Sequence, residues 1–388
     1  MRVVIAGGGI AGLTAAALLS RTGGHNVVVL EQAHGYGDAG YGLGLYPLGA
    51  AVFNALGKTD EVRSRSHVLD TYTVHSPDGS VLQTVNLGEL LNEFGPMLGI
   101  SRTDVIDVLV SCLPEGVIRF GVRAESATLI GEGHDSYVQV TSSDGQVFEA
   151  DVLIAADGMH SALRTNLFGE IKMHDTGFDA WMWWAAPGGT GPSTASEHWG
   201  PSAFVGLYPM PRGVNVAIGV PRAFSPDPHS DPTEIIAALR ETVTANNPAA
   251  ADLPGLWDVV SGKPFLWRLE DVRAPHIAAL SNRVALVGDS GIGFLPTAGV
   301  GASNAMRSAA SLAYELSLAD AASAPLAVNR WAGRVQKLVT GNQKDSRELA
   351  KVMMVKHGTS SKLINTLMKH MPVTTMTKSI VKSMEAPF

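Results

Sequence analysis

The residues best suited to chemistry stand near the start of the chain, in the pattern Gly7-x-Gly9-x-x-Gly12. The first glycine permits a tight turn, the second lets the backbone approach a pyrophosphate, and the third lets a helix pack on the preceding strand. Glu31 ends the next apolar run, where an acidic side chain can accept hydrogen bonds from ribose hydroxyls. The pattern therefore predicts a dinucleotide-binding turn between a strand and a helix.

Apolar runs of consecutive residues supply the strands that such a turn needs. They are Val3 to Ala6, Val27 to Leu30, Val152 to Ala156 and Val284 to Gly288. Runs without alternation predict strands that are covered on both faces, as in a parallel sheet. Because ligands bind at the carboxyl ends of parallel strands, the polar residues that follow these runs are candidates for binding.

Segments with alternating polarity separate these runs and predict a second kind of sheet. Residues 71–85 and 137–150 alternate around Asp-Gly turns and predict antiparallel hairpins. Residues 180–220 predict a further β-rich region. After it, Asp231 and Pro232 have the residue types expected of a helix cap and a first helical position.

The composition limits the class of protein. The chain has 388 residues, of which 45% are hydrophobic and 17% charged, as expected of a globular protein with a sizeable core. A formal net charge of −7 argues against nucleic acid as a partner. The lone cysteine, Cys112, excludes an internal disulfide, and the N-terminus has no basic region or cleavage signature, which predicts a cytoplasmic protein. The 12 histidines show no metal-binding spacing.

Two later stretches indicate which dinucleotide to expect. VLIAADGMHSALR (residues 152–164) and VALVGDSGIGFLPTAGVGASNA (residues 284–305) resemble the two further fingerprints of the group A flavoprotein monooxygenases. This is the family of para-hydroxybenzoate hydroxylase and of the tetracycline-inactivating monooxygenases. The resemblance covers most of residues 1 to 320 and implies non-covalently bound FAD as cofactor, with NADH or NADPH as a transient reductant.

The resemblance also implies roles for the residues of these two fingerprints. Asp157, with Gly158, Ser161 and Arg164, matches the motif that helps to hold FAD and serves NAD(P)H. Gly288 and Asp289 match the pair whose carboxylate binds the ribityl chain of FAD. The loop and helix start beside the isoalloxazine ring are matched by Pro296, Gly299 and Gly301.

Two smaller stretches agree with this assignment. Gly44 lies in GYGLGLYP (residues 40–47), which resembles the Gly-rich loop near the ring. Arg102 opens a segment that resembles the helix whose arginine reaches FAD. The sequence departs from the family at Ile292, where a histidine is frequent, and at Ser303, where an asparagine is frequent.

The implied fold is α/β, with a Rossmann-like FAD-binding domain of the para-hydroxybenzoate hydroxylase type (GR2), an inserted mixed β-sheet substrate domain and a C-terminal helix. The FAD-binding domain would be discontinuous and comprise residues 1–68, 96–170 and 276–330. The substrate-binding domain would comprise residues 69–95 and 171–275, and the C-terminal helical segment residues 331–388.

The implied function is that of an FAD-dependent NAD(P)H:O2 monooxygenase that hydroxylates an aromatic or polycyclic small molecule through a flavin C4a-hydroperoxide. We expect Trp183, His198 and Tyr208 to line the substrate site between the ring and the β-rich insert. The sequence identifies no catalytic base. A flavin-dependent reductase of isoprenoid double bonds and a catalytically silent FAD protein that shields a small molecule remain alternatives.

The C-terminal segment is rich in lysine and methionine and predicts an amphipathic helix. Its apolar face would be formed by Leu363, Ile364, Leu367, Met368 and Met371. We expect this face to pack on the domains, with peripheral membrane contact as the alternative.

Overall fold

The computed structural model describes residues 1–37, 41–356, 358–370, 381 and 384. The strands are β1 Arg2–Ala6, β2 Asn26–Glu31, β3 Gly42–Leu45, β4 Ser66–Leu69, β5 Thr71–His75, β6 Val81–Asn86, β7 Met97–Ser101, β8 Ile118–Phe120, β9 Ala124–Ile130, β10 Tyr137–Ser142, β11 Val147–Ala150, β12 Val152–Ala155, β13 His174–Ala185, β14 Thr194–Gly200, β15 Ala203–Met210, β16 Gly213–Pro221, β17 Val259–Asp271, β18 Ala278–Ala279 and β19 Val284–Leu286.

Most of the helices connect these strands, and the last three follow β19. They are α1 Ile10–Thr22, α2 Pro47–Ala55, α3 Thr59–Ser64, α4 Leu87–Leu90, α5 Arg102–Val110, α6 Ala162–Phe168, α7 Pro232–Asn246, α8 Pro248–Ala251, α9 Gly301–Ser317, α10 Ala324–Met353 and α11 Gly358–His370. Short 3₁₀ turns lie at Gly133–Asp135, Arg222–Phe224, Gly288–Ser290 and Pro296–Ala298.

The apolar runs predicted as buried strands lie in one sheet, ordered β18-β19-β12-β1-β2-β8. β1 pairs in parallel with β2 and β12, and β12 pairs in parallel with β19. Val3 and Ile5 of β1 share a core with α1, α9 and α10, whereas Val4 and Ala6 share a core with β10. The predicted doubly covered parallel sheet is confirmed, and the carboxyl ends of β1, β12 and β19 meet at one edge.

A second, mixed sheet has the order β17-β13-β16-β15-β14-β5-β6, in which only β14 and β5 pair in parallel. One of its faces is covered by α7, whose Ile235, Leu239 and Val243 pack on β13, β15 and β16. The predicted start of α7 is confirmed, because the Asp231 carboxylate accepts a hydrogen bond from the Thr233 N–H at 2.8 Å. The division of the chain into domains remains a prediction.

Smaller sheets complete the framework. Both predicted hairpins are confirmed: β5 pairs with β6, and β10 pairs with β11 in the sheet β11-β10-β9. The sheet β3-β7-β4 touches the mixed sheet, because a Cβ at Gly42 of β3 would lie 2.2 Å from Met210 Sδ of β15. The second face of the mixed sheet, opposite α7, therefore faces the dinucleotide-binding elements.

The long helix α10 joins both parts of the molecule. Near its start, Trp331 is fully buried in the core of the parallel sheet and donates a hydrogen bond from Nε1 to Ser308 O at 3.0 Å. At its end, Met353 packs with Val74 and Trp199 of the mixed sheet. Among the described residues, no helix is long and apolar enough to cross a membrane.

Helix α11 differs in part from the sequence prediction. Met368 is buried against the mixed sheet with the partly buried Ile364, whereas Leu363 and Leu367 are 72% and 61% exposed. Residues four apart form one stripe along a helix, so these side chains form two adjacent stripes, and the sheet covers only one. Met371 lies outside the described residues.

Truncation of Trp331 should test how far α10 holds the fold together. We expect Trp331→Ala to lower the free energy of unfolding by about 3–5 kcal/mol, because it opens a large cavity and removes the indole hydrogen bond to Ser308 O. Leu326→Ala, on the same helix at a side chain that is 64% exposed, should change it by less than about 0.5 kcal/mol. Urea unfolding of both variants measures the difference; equal losses would contradict this role of Trp331.

Candidate functional site

The turn between β1 and α1 has the geometry of a pyrophosphate cradle. Gly7 has φ +104°, and a Cβ there would lie 2.3 Å from Ala156 O, while a Cβ at Gly12 would lie 1.9 Å from Gly7 O. Gly9 caps α1; among the residues that the structure describes, no side chain caps the helix and a Cβ at Gly9 would meet nothing within 4 Å. The first turn of α1 thus points its N–H groups and positive dipole end at open space, which suits a phosphate group.

Glu31 lies beside this turn, at the end of β2. Its carboxylate accepts hydrogen bonds from the N–H groups of Gly8 at 2.7 Å and Ala33 at 2.8 Å. The Tyr36 hydroxyl next to Gly8 is buried and has no hydrogen-bond partner among the described residues. Burial raises the pKa of Tyr36, and the negative charge of Glu31 adds to the rise. An acid and an unpaired hydroxyl side by side fit the ribose of a dinucleotide.

Arg102 connects this end of the site to the opposite end. It is the first residue of α5, which begins where the Ser101 hydroxyl accepts a hydrogen bond from the Asp104 N–H at 2.9 Å. Its guanidinium lies 5.9 Å from the centre of the Tyr41 ring. Burial raises the pKa of Tyr41; the positive charge of Arg102 opposes that rise and the negative charge of Asp289 adds to it. Arg102 and Asp289 therefore approach the same ring.

The motif that begins at Asp157 follows β12. The Asp157 carboxylate accepts hydrogen bonds from the Ser161 hydroxyl at 2.6 Å and the Leu163 N–H at 3.2 Å, so it holds the first turn of α6. Burial raises the pKa of Asp157, and these hydrogen bonds oppose the rise. Gly158 beside it has φ +83° and open space at the Cβ position.

Arg164 ties this motif to the loop after β19. Its guanidinium is buried and donates to the carbonyl oxygens of Met159 at 2.6 Å, Ser290 at 2.9 Å and Asp289 at 3.3 Å. Because burial disfavours the charged form, the pKa of Arg164 is lowered. Arg164 thereby fixes the backbone of Asp289.

The Asp289 side chain is the clearest unsatisfied group of the site. Its carboxylate forms no hydrogen bond among the described residues, although burial raises its pKa to about 6. The positive charge of Arg164 only partly opposes this effect. A partly buried carboxylate without donors is costly, and the hydroxyls of a ribityl chain would supply donors. The residues present therefore fit FAD at both ends of the site.

The loop after Asp289 is held by α10. Gln343 donates to Gly293 O and Val272 O, and Ser346 donates to Leu295 O at 2.9 Å. The Thr297 hydroxyl in turn donates to Ser346 O at 2.9 Å. The 3₁₀ turn that begins at Pro296 is thereby fixed against α10.

The loop also meets the mixed sheet and the start of α9. Leu295 packs with Phe178, Ala180 and Leu269 of the mixed sheet. The Tyr46 hydroxyl donates to Ala298 O at 3.4 Å.

Helix α9 begins directly after this loop. Gly299 is exposed with φ +61°, and α9 begins at Gly301 without a side-chain cap. Ser303, where the family frequently has asparagine, accepts a hydrogen bond from the Tyr46 N–H at 3.0 Å. The helix start is thus open to a negatively charged group.

Gly44 lies in β3, opposite Gly99 of β7, and a Cβ there would lie 2.6 Å from Met97 Cε. Gly42 of the same strand meets Met210 and Trp184 of the mixed sheet, and the role of Gly44 beside the ring stays a prediction. Gly40, the first residue of that stretch, lies outside the described residues.

The predicted substrate residues lie on different faces of the mixed sheet. Tyr208 faces the dinucleotide-binding elements, and its hydroxyl donates to Glu197 at 2.7 Å. Trp183 and His198 lie on the face covered by α7 and α8. Trp183 is fully buried there and donates to Leu256 O at 3.1 Å.

His198 is enclosed in the same way. It stacks on His75 with ring centres 4.6 Å apart, and burial lowers its pKa to about 4. Side chains alternate along a strand, and the sequence does not show which face meets the ligand. We therefore do not retain Trp183 and His198 as candidates for substrate contact.

Other large side chains lie near β3 and Tyr41. Trp184 and Met210 approach Gly42 of β3, and Phe265 of β17 stacks on Tyr41 with ring centres 5.2 Å apart. Trp184 adjoins Trp183 in the chain, so the period-two alternation of β13 already placed one of the two on each face. The aromatic cluster around Tyr41 joins distant segments, and no local pattern signals it.

Comparisons with known proteins identify the family of the chain. A family model described as an FAD binding domain matches residues 1–325, and the chain belongs to this family, which makes FAD its cofactor. The 3-amino-4-hydroxybenzoate 2-monooxygenase PtmB3 of Streptomyces platensis is 37% identical over 174 residues, which span 44% of this chain and 42% of that relative. The aurachin C monooxygenase/isomerase of Stigmatella aurantiaca is 27% identical over 340 residues, 87% of this chain and 86% of that relative.

Solved structures share the fold. Klebsiella pneumoniae HpxO, complexed with FAD and uric acid, superposes with a TM-score of 0.87 at 19% identity and covers 100% of this chain and 97% of its own. Tetracycline destructase Tet(51) superposes with a TM-score of 0.72 at 20% identity, covering 100% and 98%. The predicted α/β fold with a flavin-binding domain and a mixed sheet is confirmed.

Replacement of Asp289 should change the stability of the apoprotein and the affinity for FAD in opposite directions. The folded-state pKa of about 6 lies above that of an unfolded aspartate, so the wild-type apoprotein loses stability as the pH rises from about 4 to 6. We expect Asp289→Asn to be more stable than the wild type at pH 7, with the difference vanishing below pH 4, and to bind FAD at least about tenfold more weakly. Thermal unfolding across pH and fluorescence titration with FAD measure both effects.

Asp320→Asn provides the control for this experiment. Asp320 is exposed, and hydrogen bonds from Ser323 lower its pKa, so its loss should reduce stability at pH 7 and leave FAD binding unchanged. Asp289→Asn with unaltered FAD affinity would contradict the assignment of Asp289.

Gln343 should act through the loop that it holds. We expect Gln343→Leu to lower the free energy of unfolding by about 1–3 kcal/mol and to weaken FAD binding, since Gly293 O loses its donor and Val272 O keeps only the Gly293 N–H. Gln336→Leu removes an exposed hydrogen bond to Pro275 O from the same helix and should change neither quantity by more than about 0.5 kcal/mol. Equal FAD affinity in the two variants would show that α10 does not hold the loop for the cofactor.

Proposed function

We propose that the protein is an FAD-dependent monooxygenase that uses NAD(P)H and O2 to insert one oxygen atom into an aromatic or polycyclic small molecule. The observation that carries this proposal is the placement of the loop Gly288–Gly301. The loop presents the free carboxylate of Asp289 and the start of α9 on one side, and it packs through Leu295 against the mixed sheet. A flavin bound there would face the sheet that the sequence assigns to substrate.

When it is bound, reduced flavin supplies the reaction of O2 that transfers one oxygen atom to a substrate, and the protein supplies orientation and electrostatics. The start of α9, uncapped by any side chain, carries the positive end of the helix dipole. Placed at the edge of the flavin ring, it would stabilise the negative charge that reduction adds. Arg102, Tyr41 and Asp289 would hold the rest of the cofactor.

The facing wall supports an aromatic substrate. Met182, Trp184, Tyr208 and Met210 lie on the face of the mixed sheet that is turned toward the loop. Such a surface is apolar and excludes water, with a few polar groups to orient a ring. Among the relatives, one is named for an aminohydroxybenzoate and another for aurachin C. The choice between NADH and NADPH stays open.

A stopped-flow screen tests the proposed function. FAD-loaded protein is mixed without oxygen with NADH or NADPH and a panel of aromatic and polycyclic compounds, and flavin absorbance is followed. We expect at least one compound to accelerate flavin reduction, and subsequent exposure to isotopically labelled O2 to place one labelled oxygen atom in that compound.

Two outcomes would contradict the proposal in different ways. Reduction of a substrate double bond without any need for O2 would identify a reductase. Tight binding of a compound without acceleration of NAD(P)H oxidation would identify a protein that shelters its ligand. Asp320→Asn, which lies outside the site, serves as the control for expression and FAD loading.

A further inference from the structure

A buried carboxylate lies behind the wall of the site and is explained by none of the roles above. Glu197 of β14 is 5% exposed and has no cationic partner among the described residues. Its Oε2 accepts hydrogen bonds from the Tyr72 hydroxyl at 2.6 Å and Trp199 Nε1 at 2.9 Å, and its Oε1 accepts one from the Tyr208 hydroxyl at 2.7 Å. Three donors converge on it from strands β5, β14 and β15.

The arrangement depends on a residue without a side chain. Glu197 lies opposite Gly206 in the pairing of β14 with β15, and a Cβ at Gly206 would lie 2.6 Å from the Tyr208 hydroxyl oxygen. Only glycine leaves the Tyr208 hydroxyl room to reach Glu197. A side chain at position 206 would therefore displace the Tyr208 hydroxyl from Glu197.

The cluster adjoins the flavin-side elements. The negative charge of Glu197 contributes to raising the pKa of Tyr46, whose hydroxyl donates to Ala298 O in the loop. Tyr46 in turn contributes to raising the pKa of Tyr72 and of Tyr208. Both of these tyrosines keep some accessible surface although burial raises their pKa, so they would face the cavity that a bound substrate occupies on this side of the sheet.

The protons and lone pairs of Glu197, Tyr72 and Tyr208 determine which hydrogen bonds this wall can offer to a ligand. Burial raises the pKa of Glu197, whereas the three hydrogen bonds that it accepts oppose this rise and favour the ionised carboxylate. An ionised carboxylate only accepts, and a tyrosine hydroxyl has a single proton to donate. Tyr72 and Tyr208 both direct that proton at Glu197, so only oxygen lone pairs remain to face the cavity. A ligand that offers a further acceptor there would bury an unsatisfied group, which is costly.

We propose that Glu197 sets the specificity of the site by fixing Tyr72 and Tyr208 as acceptors, so that the substrate is held through an O–H or N–H donor on its ring. This inference rests on the proposed function for the identity of the cavity as the substrate site. Tyr72 and Tyr208 touch the substrate, and Glu197 positions their protons.

Ligand binding to the FAD-loaded full chain tests the inference without turnover. The probes are indole, whose N–H is a donor, quinoline, whose ring nitrogen is an acceptor, and naphthalene, which has neither. Dissociation constants come from perturbation of flavin absorbance. We expect the wild type to bind indole about tenfold more tightly than quinoline, the factor that one satisfied hydrogen bond confers.

The two variants should change the preference between indole and quinoline in different ways, which a merely structural role of Glu197 would not produce. In Glu197→Gln, the amide can donate to the Tyr208 oxygen and release its proton toward the cavity, so the preference should shift to quinoline. Tyr208→Phe removes one of the two acceptors while Tyr72 stays bonded to Glu197, so the preference for indole should weaken without inverting. Glu315→Gln replaces another buried glutamate, paired with Arg330 and Arg334, and should keep the wild-type preference.

Several results would overturn the inference. These are equal preference in the wild type and Glu197→Gln, a wild type that favours quinoline, and failure of indole to bind at all. If Glu197→Gln does not fold, as judged by FAD content, Tyr208→Phe decides alone through its weakened preference. Because no reductant or O2 is present, failure here is distinguishable from failure of the proposed function, which the turnover assay measures.

Discussion

The loop Gly288–Gly301 is the element on which the rest of the structure depends, because three separate parts of the chain hold it. Arg164 of α6 binds the carbonyl oxygens of Asp289 and Ser290, and Tyr46, just before α2, binds Ala298 O. Gln343 and Ser346 of α10 bind carbonyl oxygens further along. A loop that must present a carboxylate and a helix start to a flat ring needs such fixation, since misplacement by 1 Å is enough to lose binding energy.

The same site is built at a cost in stability. Asp289 has a raised pKa and no hydrogen-bond donor among the described residues, and the Tyr36 hydroxyl is buried without a partner. Each group loses its hydration on folding and regains partners only when a polyhydroxylated ligand is bound. The surrounding contacts, such as the enclosed Trp331 under α9, offset this cost. Binding of FAD should therefore stabilise the fold through the very residues that weaken the apoprotein.

Local patterns made much of the fold predictable. Apolar runs identify strands that are covered on both faces, and Asp231 with Pro232 marks the start of α7 because a cap works through adjacent backbone groups. Local patterns do not indicate which face of a strand meets a ligand. Trp183 and Trp184 are neighbours of the same type, and only the docking of α7 on one side decides which of them faces the site.

Clusters assembled from distant segments lie beyond such patterns. Glu197 becomes notable only when strands β5, β14 and β15 bring Tyr72 and Tyr208 to it, and in the sequence it is one acid among alternating residues. Gln343 likewise has the residue type of an exposed helix position, yet it is fully buried and bonded to the loop. Polar groups of this kind are stable inside a protein only when all partners are in place, so tertiary structure must form before their role exists.

The C-terminal helices connect the two halves of the site through these polar clusters. Trp199, which donates to Glu197, packs on Met353 at the end of α10 and on Met368 of α11. The same helix α10 holds the loop beside the flavin position through Gln343 and Ser346. The wall proposed for the substrate and the loop proposed for the cofactor are thus contacted by one helix, α10. A site that transfers an atom from cofactor to substrate requires a fixed separation between the two more than it requires any single side chain.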